Sequence, residues 1–256
     1  EIGDIQLNDE QQAGVIGCLE HKVSIVTGGP GTGKTTLLKT LLTVLESQRM
    51  RVKLAAPTGR AAKRMFEGTG CATETLHRLL EFSPATMNFT RNEQNAIQAD
   101  FVIVDEASMI DVFLMHSLLR AISDKSHLVL LGDVDQLPSV GPGNVLQDLI
   151  ESGVVHVTRR AHIFRQAQDS LIIVNAHRVN KGEFPSSKGL WETSKKDFAF
   201  VKQDEPEELF AYLKQFFATT IKQQKCVWQQ AVVLTPMNRG TAGTIRINQE
   251  LQNILN

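Results

Sequence analysis

Gly28-Gly29-Pro30-Gly31-Thr32-Gly33-Lys34-Thr35 fits the spacing GxxxxGK[ST] and stands between two runs of different period. Before it, Val23 to Thr27 is a short β-prone apolar run; after it, Leu37, Leu38, Leu41, Leu42 and Leu45 recur at helical spacing. Strand, glycine loop and helix in that order make a phosphate cradle. Glycines let the backbone curl until successive N–H groups point at phosphate oxygens, the helix start adds partial positive charge, and Lys34 adds a full one. Thr35 then offers its hydroxyl to Mg²⁺. A purely structural glycine turn is the competing reading, disfavoured by the strand before the motif and the helix after it.

Further short apolar runs alternate with helical patterns: Val52 to Ala56, Phe101 to Val104, Leu128 to Leu131, Val154 to Val157 and Ala231 to Thr235. The alternation predicts an α/β fold with a parallel sheet flanked by helices. Ser170 to Asn180 and Pro206 to Phe217 read as amphipathic helices, and the leucines after the glycine loop as core. Residues 79–99 break the pattern with Ser83-Pro84 and Met87-Asn88 and suit a small inserted hairpin. The polar stretch Lys181 to Lys196 reads as an exposed connection.

A triphosphate site needs an acid at the end of a second buried strand, and Phe101-Val102-Ile103-Val104-Asp105-Glu106 supplies it. Asp105 is expected to hold Mg²⁺ and Glu106 to orient and deprotonate the attacking water, which implies hydrolysis of ATP. By itself such a pair is more often a solvated strand end; the glycine loop upstream changes the balance. The run Leu128 to Leu131 leads to Gly132-Asp133-Val134-Asp135-Gln136, where Gln136 is expected beside the terminal phosphate; a solvent-facing loop glutamine is the alternative.

Charge narrows the partners. With 27 basic and 28 acidic residues the net charge is -1, so any nucleic-acid surface must be local. Cys18, Cys71 and Cys226 lie far apart, outside metal-ligand or CxxC spacing, which fits a reducing, cytoplasmic setting. No apolar run reaches membrane-spanning length, and no membrane partner is expected.

Taken in order, Leu7-Asn8-Asp9-Glu10-Gln11, the glycine loop, Ala56-Pro57-Thr58-Gly59-Arg60-Ala61-Ala62-Lys63-Arg64-Met65, Thr75-Leu76-His77, Asp105-Glu106-Ala107-Ser108-Met109, Gly132 to Gly143, Phe164-Arg165-Gln166 and Thr235-Pro236-Met237-Asn238-Arg239-Gly240 resemble the RecD-type branch of superfamily 1B DNA helicases. The resemblance spans nearly the whole chain. It implies a RecA-like P-loop domain over residues 1–157, with the hairpin inserted at 79–99, and the start of a second RecA-like domain over 158–256. It implies that Gln11 recognises adenine, that Gly29, Pro30, Gly31, Thr32, Gly33, Lys34, Thr35 and Thr36 surround ATP, and that Thr35 and Asp105 hold Mg²⁺. Lys34, Glu106, Gln136 and Arg165 become the catalytic set, Arg165 as an arginine finger. Thr58, Arg60, Lys63, Arg64, His77, Thr235 and Arg239 fall where the family contacts single-stranded DNA. A solvated helix face is the plainer account of that basic cluster.

Two departures stand out. The family continues past the equivalent of Arg239-Gly240 into motifs that would lie beyond Asn256, so the chain is expected to be a fragment. Thr158-Arg159-Arg160-Ala161-His162 also precedes Ile163-Phe164-Arg165-Gln166 where a shorter, more acidic lead-in is expected. The function implied is an ATP-driven motor travelling 5′ to 3′ along single-stranded DNA towards duplex junctions, either free or within a nuclease–helicase complex. Its alternative is a nucleotide-binding interaction module of a repair or recombination complex that turns over negligibly. A nucleotide kinase is a weaker rival, because the Gln136 loop and Phe164-Arg165-Gln166 do not belong to one.

Overall fold

The computed structural model describes residues 9–29, 31–160, 170–186, 197–221 and 231–255, which fall into two compact units, 1–198 and 199–256. The first unit is built on six parallel strands: β1 (Val23–Gly28), β2 (Val52–Ala56), β3 (Thr73–Thr75), β6 (Phe101–Val104), β7 (His127–Gly132) and β8 (His156–Arg160), in the order β3-β2-β6-β7-β1-β8. β4 (Phe82–Ser83) and β5 (Asn88–Phe89) form a separate antiparallel pair, the expected small hairpin. Parallel neighbours need crossovers, and helices provide them.

Strand composition follows from burial on both faces. In β6 all four residues of Phe-Val-Ile-Val are buried, and they alternate between two cores. Val102 and Val104 pack with Ile25, Leu128 and Leu130 against Leu76 and Leu79 of α4 (Leu76–Leu79), Met115 and Leu118 of α5 (Val112–Ala121) and Leu146 and Ile150 of α6 (Val145–Glu151). Phe101 and Ile103 pack on the other face with Val26, Val129 and Leu131. There they meet Val15 and Cys18 of α1 (Asp9–Glu20), Leu37, Leu38, Leu41 and Leu45 of α2 (Lys34–Ser47), and Met65 of α3 (Gly59–Thr69). Of the five leucines expected in the core, four are buried and Leu42 is partly so.

The last strand differs from expectation. It runs over His156–Arg160 rather than Val154 to Val157, and Val154 is 87% exposed. Among the described residues β8 pairs only with β1, so it is an edge strand with less call for apolar residues than the centre of the sheet. The boundary expected at 157/158 falls inside it. The first unit also holds α7 (Leu171–Asn180).

In the second unit, α8 (Pro206–Phe216) begins with proline at its first turn and passes into a wider π turn over Phe217–Ile221. α9 (Thr244–Leu255) closes the unit. Arg246 stacks over the Phe210 ring at 4.4 Å, and Lys214 pairs with Glu250 at 2.6 Å. Ala231 to Thr235, expected as a strand, has no ladder partner among the described residues.

Candidate active site

The glycine loop, the acidic pair and Gln136 each follow the carboxyl end of a parallel strand, where open α/β sheets bind their ligands. β1 delivers the glycine loop. Gly31 at φ 75° and Gly33 at φ 81° take left-handed conformations that a side chain would strain, and Gly33 is the residue from which α2 starts. No side chain caps that start and no acidic residue occupies its first turn, so its positive end is left for an anion. Thr32 is buried and its hydroxyl donates to the carbonyl of Gly29 at 2.8 Å, cinching the loop. Lys34 Nζ donates to the carbonyls of Gly28 and, at 3.1 Å, Gly29.

A cavity of about 450 Å³ over the loop is lined by Gln11, Gly29, Gly31, Thr32, Gly33, Lys34, Thr35 and Thr36. Gln11 comes from α1 and is buried. These are the expected nucleotide residues apart from Pro30, which lies outside the described residues. A second cavity, of about 210 Å³, shares Lys34 and Thr35 with the first and adds Asp105, Glu106, Gln136, Leu38, Leu131 and four side chains of α3. The glycine loop, the acidic pair and the glutamine therefore meet, although they are drawn from β1, β6 and β7.

The two carboxylates are held differently. Asp105 is anchored through its backbone N–H to the carbonyl of Ala55 at 3.0 Å, and its Oδ1 accepts from the Glu106 N–H at 2.9 Å. Burial pushes the Asp105 carboxyl up; that hydrogen bond and the charge of Lys34 pull it back. Glu106 sits at φ 53°, an uncommon conformation for a residue with a side chain and one concentrated at functional sites. Its carboxyl is pushed up by burial and by the neighbouring charge of Asp105, against Lys34 and Arg64. A base of raised pKa next to a cation suits proton removal from water near neutral pH.

Two participants were not foreseen in their present roles. Asp133 immediately follows β7 and is 2% exposed; its Oδ2 accepts a long 3.4 Å bond from Gln136 Nε2, and the Gln136 N–H donates to its carbonyl at 3.2 Å. An acid directly after a buried apolar strand was the available signal, the same one that singles out Asp105. Arg64, assigned above to DNA, lines the second cavity near Glu106.

The remaining candidates on the first unit follow β2 and β3 in the chain. Thr58 caps α3, its hydroxyl accepting from the Ala61 N–H at 3.2 Å. Arg60 and Lys63 are exposed on α3, with Lys63 3.7 Å from Glu67. His77 is exposed and rests against the hairpin rings Phe82 and Phe89, each 5.6 Å away. In the second unit, the Thr235 hydroxyl donates to the carbonyl of Ala242 at 2.6 Å and Arg239 is exposed. Arg165 lies outside the described residues.

ATP and Mg²⁺ fit what is present. A hydroxyl on Thr35 and a carboxylate on Asp105 border one cavity, and both are hard oxygen donors of the kind Mg²⁺ takes in company with phosphate. The uncapped helix start and Lys34 meet the charge of a phosphate tail.

Comparison with known proteins places this geometry in context. Residues 11–142 match the family described as AAA domain. The chain is 35% identical over 248 residues to the ATP-dependent RecD2 DNA helicase of Deinococcus radiodurans, a match covering 96% of the chain and 32% of that protein. It is 31% identical over 281 residues to the RecBCD enzyme subunit RecD of Mycolicibacterium smegmatis, covering 95% of the chain and 50% of that subunit. The chain thus spans a third to a half of these relatives. Among solved structures, the Pif1 helicase from Candida albicans aligns with a TM-score of 0.56 at 23% identity, over 85% of the chain and 55% of that one. Bacteroides Pif1 bound to ssDNA aligns at 0.52 and 22%, over 78% and 52%. The structural likeness shows the fold: a RecA-like P-loop domain.

Proposed function

Because the chain belongs to the AAA domain family and is similar over nearly its whole length to RecD-type helicases, we propose that it is the motor portion of an ATP-dependent DNA helicase that travels 5′ to 3′ along single-stranded DNA. The observation that carries this reading is the meeting of Lys34, Thr35, Asp105, Glu106 and Gln136 around one cavity. Hydrolysis needs such a set; nucleotide storage does not need Glu106.

Lys34 and the N–H groups of the glycine loop bind the phosphate tail, and Gln11 contacts the base end. Thr35 and Asp105 hold Mg²⁺, which neutralises charge on the phosphate oxygens when bound. Glu106 orients a water and accepts its proton. Gln136, steadied by Asp133, reads the terminal phosphate and passes its presence to the loop that follows β7. Thr58, Arg60, Lys63 and His77 form a single-strand track on the first unit; Thr235 and Arg239 are separate candidate DNA contacts within the second unit, and Arg165 is the candidate arginine finger. Phosphate contacts of this kind position a strand without reading its sequence. Duplex junctions, partner subunits of a nuclease complex and a cytoplasmic setting complete the proposal.

The test is ATPase activity of the chain with and without a single-stranded oligonucleotide. Stimulation by DNA is expected, Glu106→Gln lowers kcat by about 10²- to 10⁴-fold with nucleotide still bound, and Lys34→Ala loses binding. Oligonucleotide affinity should fall steeply with salt, with a log–log slope of about 0.7 per phosphate contact. Hydrolysis indifferent to DNA, together with salt-independent affinity, overturns the motor reading.

A further inference from the structure

The helix α7 follows the stretch that contains Phe164-Arg165-Gln166 and brings one polar side chain to the glycine loop. A Cβ placed on Gly29 would lie 3.3 Å from His177 Cε1 and 3.9 Å from Nε2, so the imidazole packs directly over the second residue of the motif. The helix is fixed from its other sides. The Leu171 N–H and the Ser170 hydroxyl donate to the Asp197 carboxylate at 3.0 and 2.6 Å, and Asn175 exchanges two hydrogen bonds with Ser186. Arg178 Nε donates to the Phe184 carbonyl at 3.1 Å. His177 is thus held in place by bonds that do not involve its own ring.

The ring itself is incompletely satisfied. His177 Nε2 is buried and has no hydrogen-bond partner among the described residues. Buried polar atoms are nearly always paired, and this one stands in a well-anchored ring against the phosphate loop, where a bound anion can reach it. The place where it waits is informative. Lys34 Nζ, the group that in this motif reaches the β- and γ-phosphates, lies at the carbonyls of Gly28 and Gly29. Gly29 therefore marks the terminal-phosphate end of the loop, and glycine there leaves room for a ring from another element.

We infer that His177 is a nucleotide ligand: its Nε2–H donates to an oxygen on the terminal-phosphate side of a nucleoside triphosphate held by residues 28–35. This rests on the triphosphate reading of the loop and adds a contact from α7 to it. The binding energy of that contact is available only while the terminal phosphate is present, so α7 distinguishes triphosphate from diphosphate.

The experiment compares the 256-residue chain with His177→Ala and His177→Gln, measuring binding of fluorescent ADP and of a slowly hydrolysed ATP analogue, with circular dichroism confirming the fold. His177→Ala should weaken the triphosphate by about tenfold, the loss of one charge-assisted hydrogen bond, and ADP by less than about threefold. His177→Gln, which keeps a donor, should recover part of the difference. Equal weakening of both nucleotides, or no change in either, overturns the inference. If the unaltered chain binds neither nucleotide, it is the triphosphate reading itself that falls, a result separable from the first two.

Discussion

At the scale of single residues, the site concentrates features that cost stability. Glu106 occupies a left-handed backbone conformation, and both acids of the pair are pushed towards protonation chiefly by burial. A buried carboxyl with a raised pKa costs nothing while protonated, and its cost grows as pH climbs past the ordinary carboxylate range. Asp105→Asn, measured in a chelator to exclude metal, should therefore raise the melting temperature at pH 8 by a few degrees, about the effect of 1 kcal/mol, with no gain at pH 3, while ATPase is lost. A lower melting temperature at pH 8 would refute this account of Asp105. These residues were legible because chemistry demands them at strand ends. Asp133 was less so: its part depends on a bond to Gln136, and spacing along the chain does not report which way a loop turns back.

At the scale of elements, α3 shows what a cap does. Thr58 accepts from Ala61 N–H, and the helix ends on Gly70 at φ 74°, so both termini are closed by the residue types suited to them. Thr58→Ala should cost about 1 kcal/mol of unfolding free energy, read by urea titration, whereas Thr58→Ser should cost much less. If Thr58→Ala left stability unchanged and weakened only DNA binding, the cap would be incidental. The sheet was legible wherever strands are buried on both faces, because Phe101 to Val104 admits little else. It was less legible at its edge, where His156–Arg160 mixes polar and apolar residues and borrows its order from β1. Ala231 to Thr235 has the composition of a strand but no described partner, and composition alone cannot supply one.

At the scale of the whole molecule, charge pairs tie the hairpin insert and the strand starts to the rest of the first unit. Arg120 forks onto Glu93 at 2.7 and 2.9 Å, holding its carboxyl down to about 2 from 4.5. Arg51 does the same for Asp100 at the entrance of β6, to about 2 from 3.8. Carboxyls lowered in this way stabilise the fold fully above their unfolded pKa and lose that contribution as pH falls towards the folded one. Melting temperature should accordingly drop between about pH 4.5 and 2, and Glu93→Gln should flatten the drop in that window while changing its midpoint little in 1 M salt, where exposed pairs are screened. An unaltered acid profile in Glu93→Gln would show that this pair contributes nothing. The order of strands carries a last consequence through α3. Eleven residues, about 16 Å of rigid rod, present Arg64 to the cavity of the acidic pair and Arg60 and Lys63 to solvent. Arg60, Lys63 and Arg64 fall within little more than one turn of that rod, so what nudges Arg64 carries with it the cations that would grip a strand.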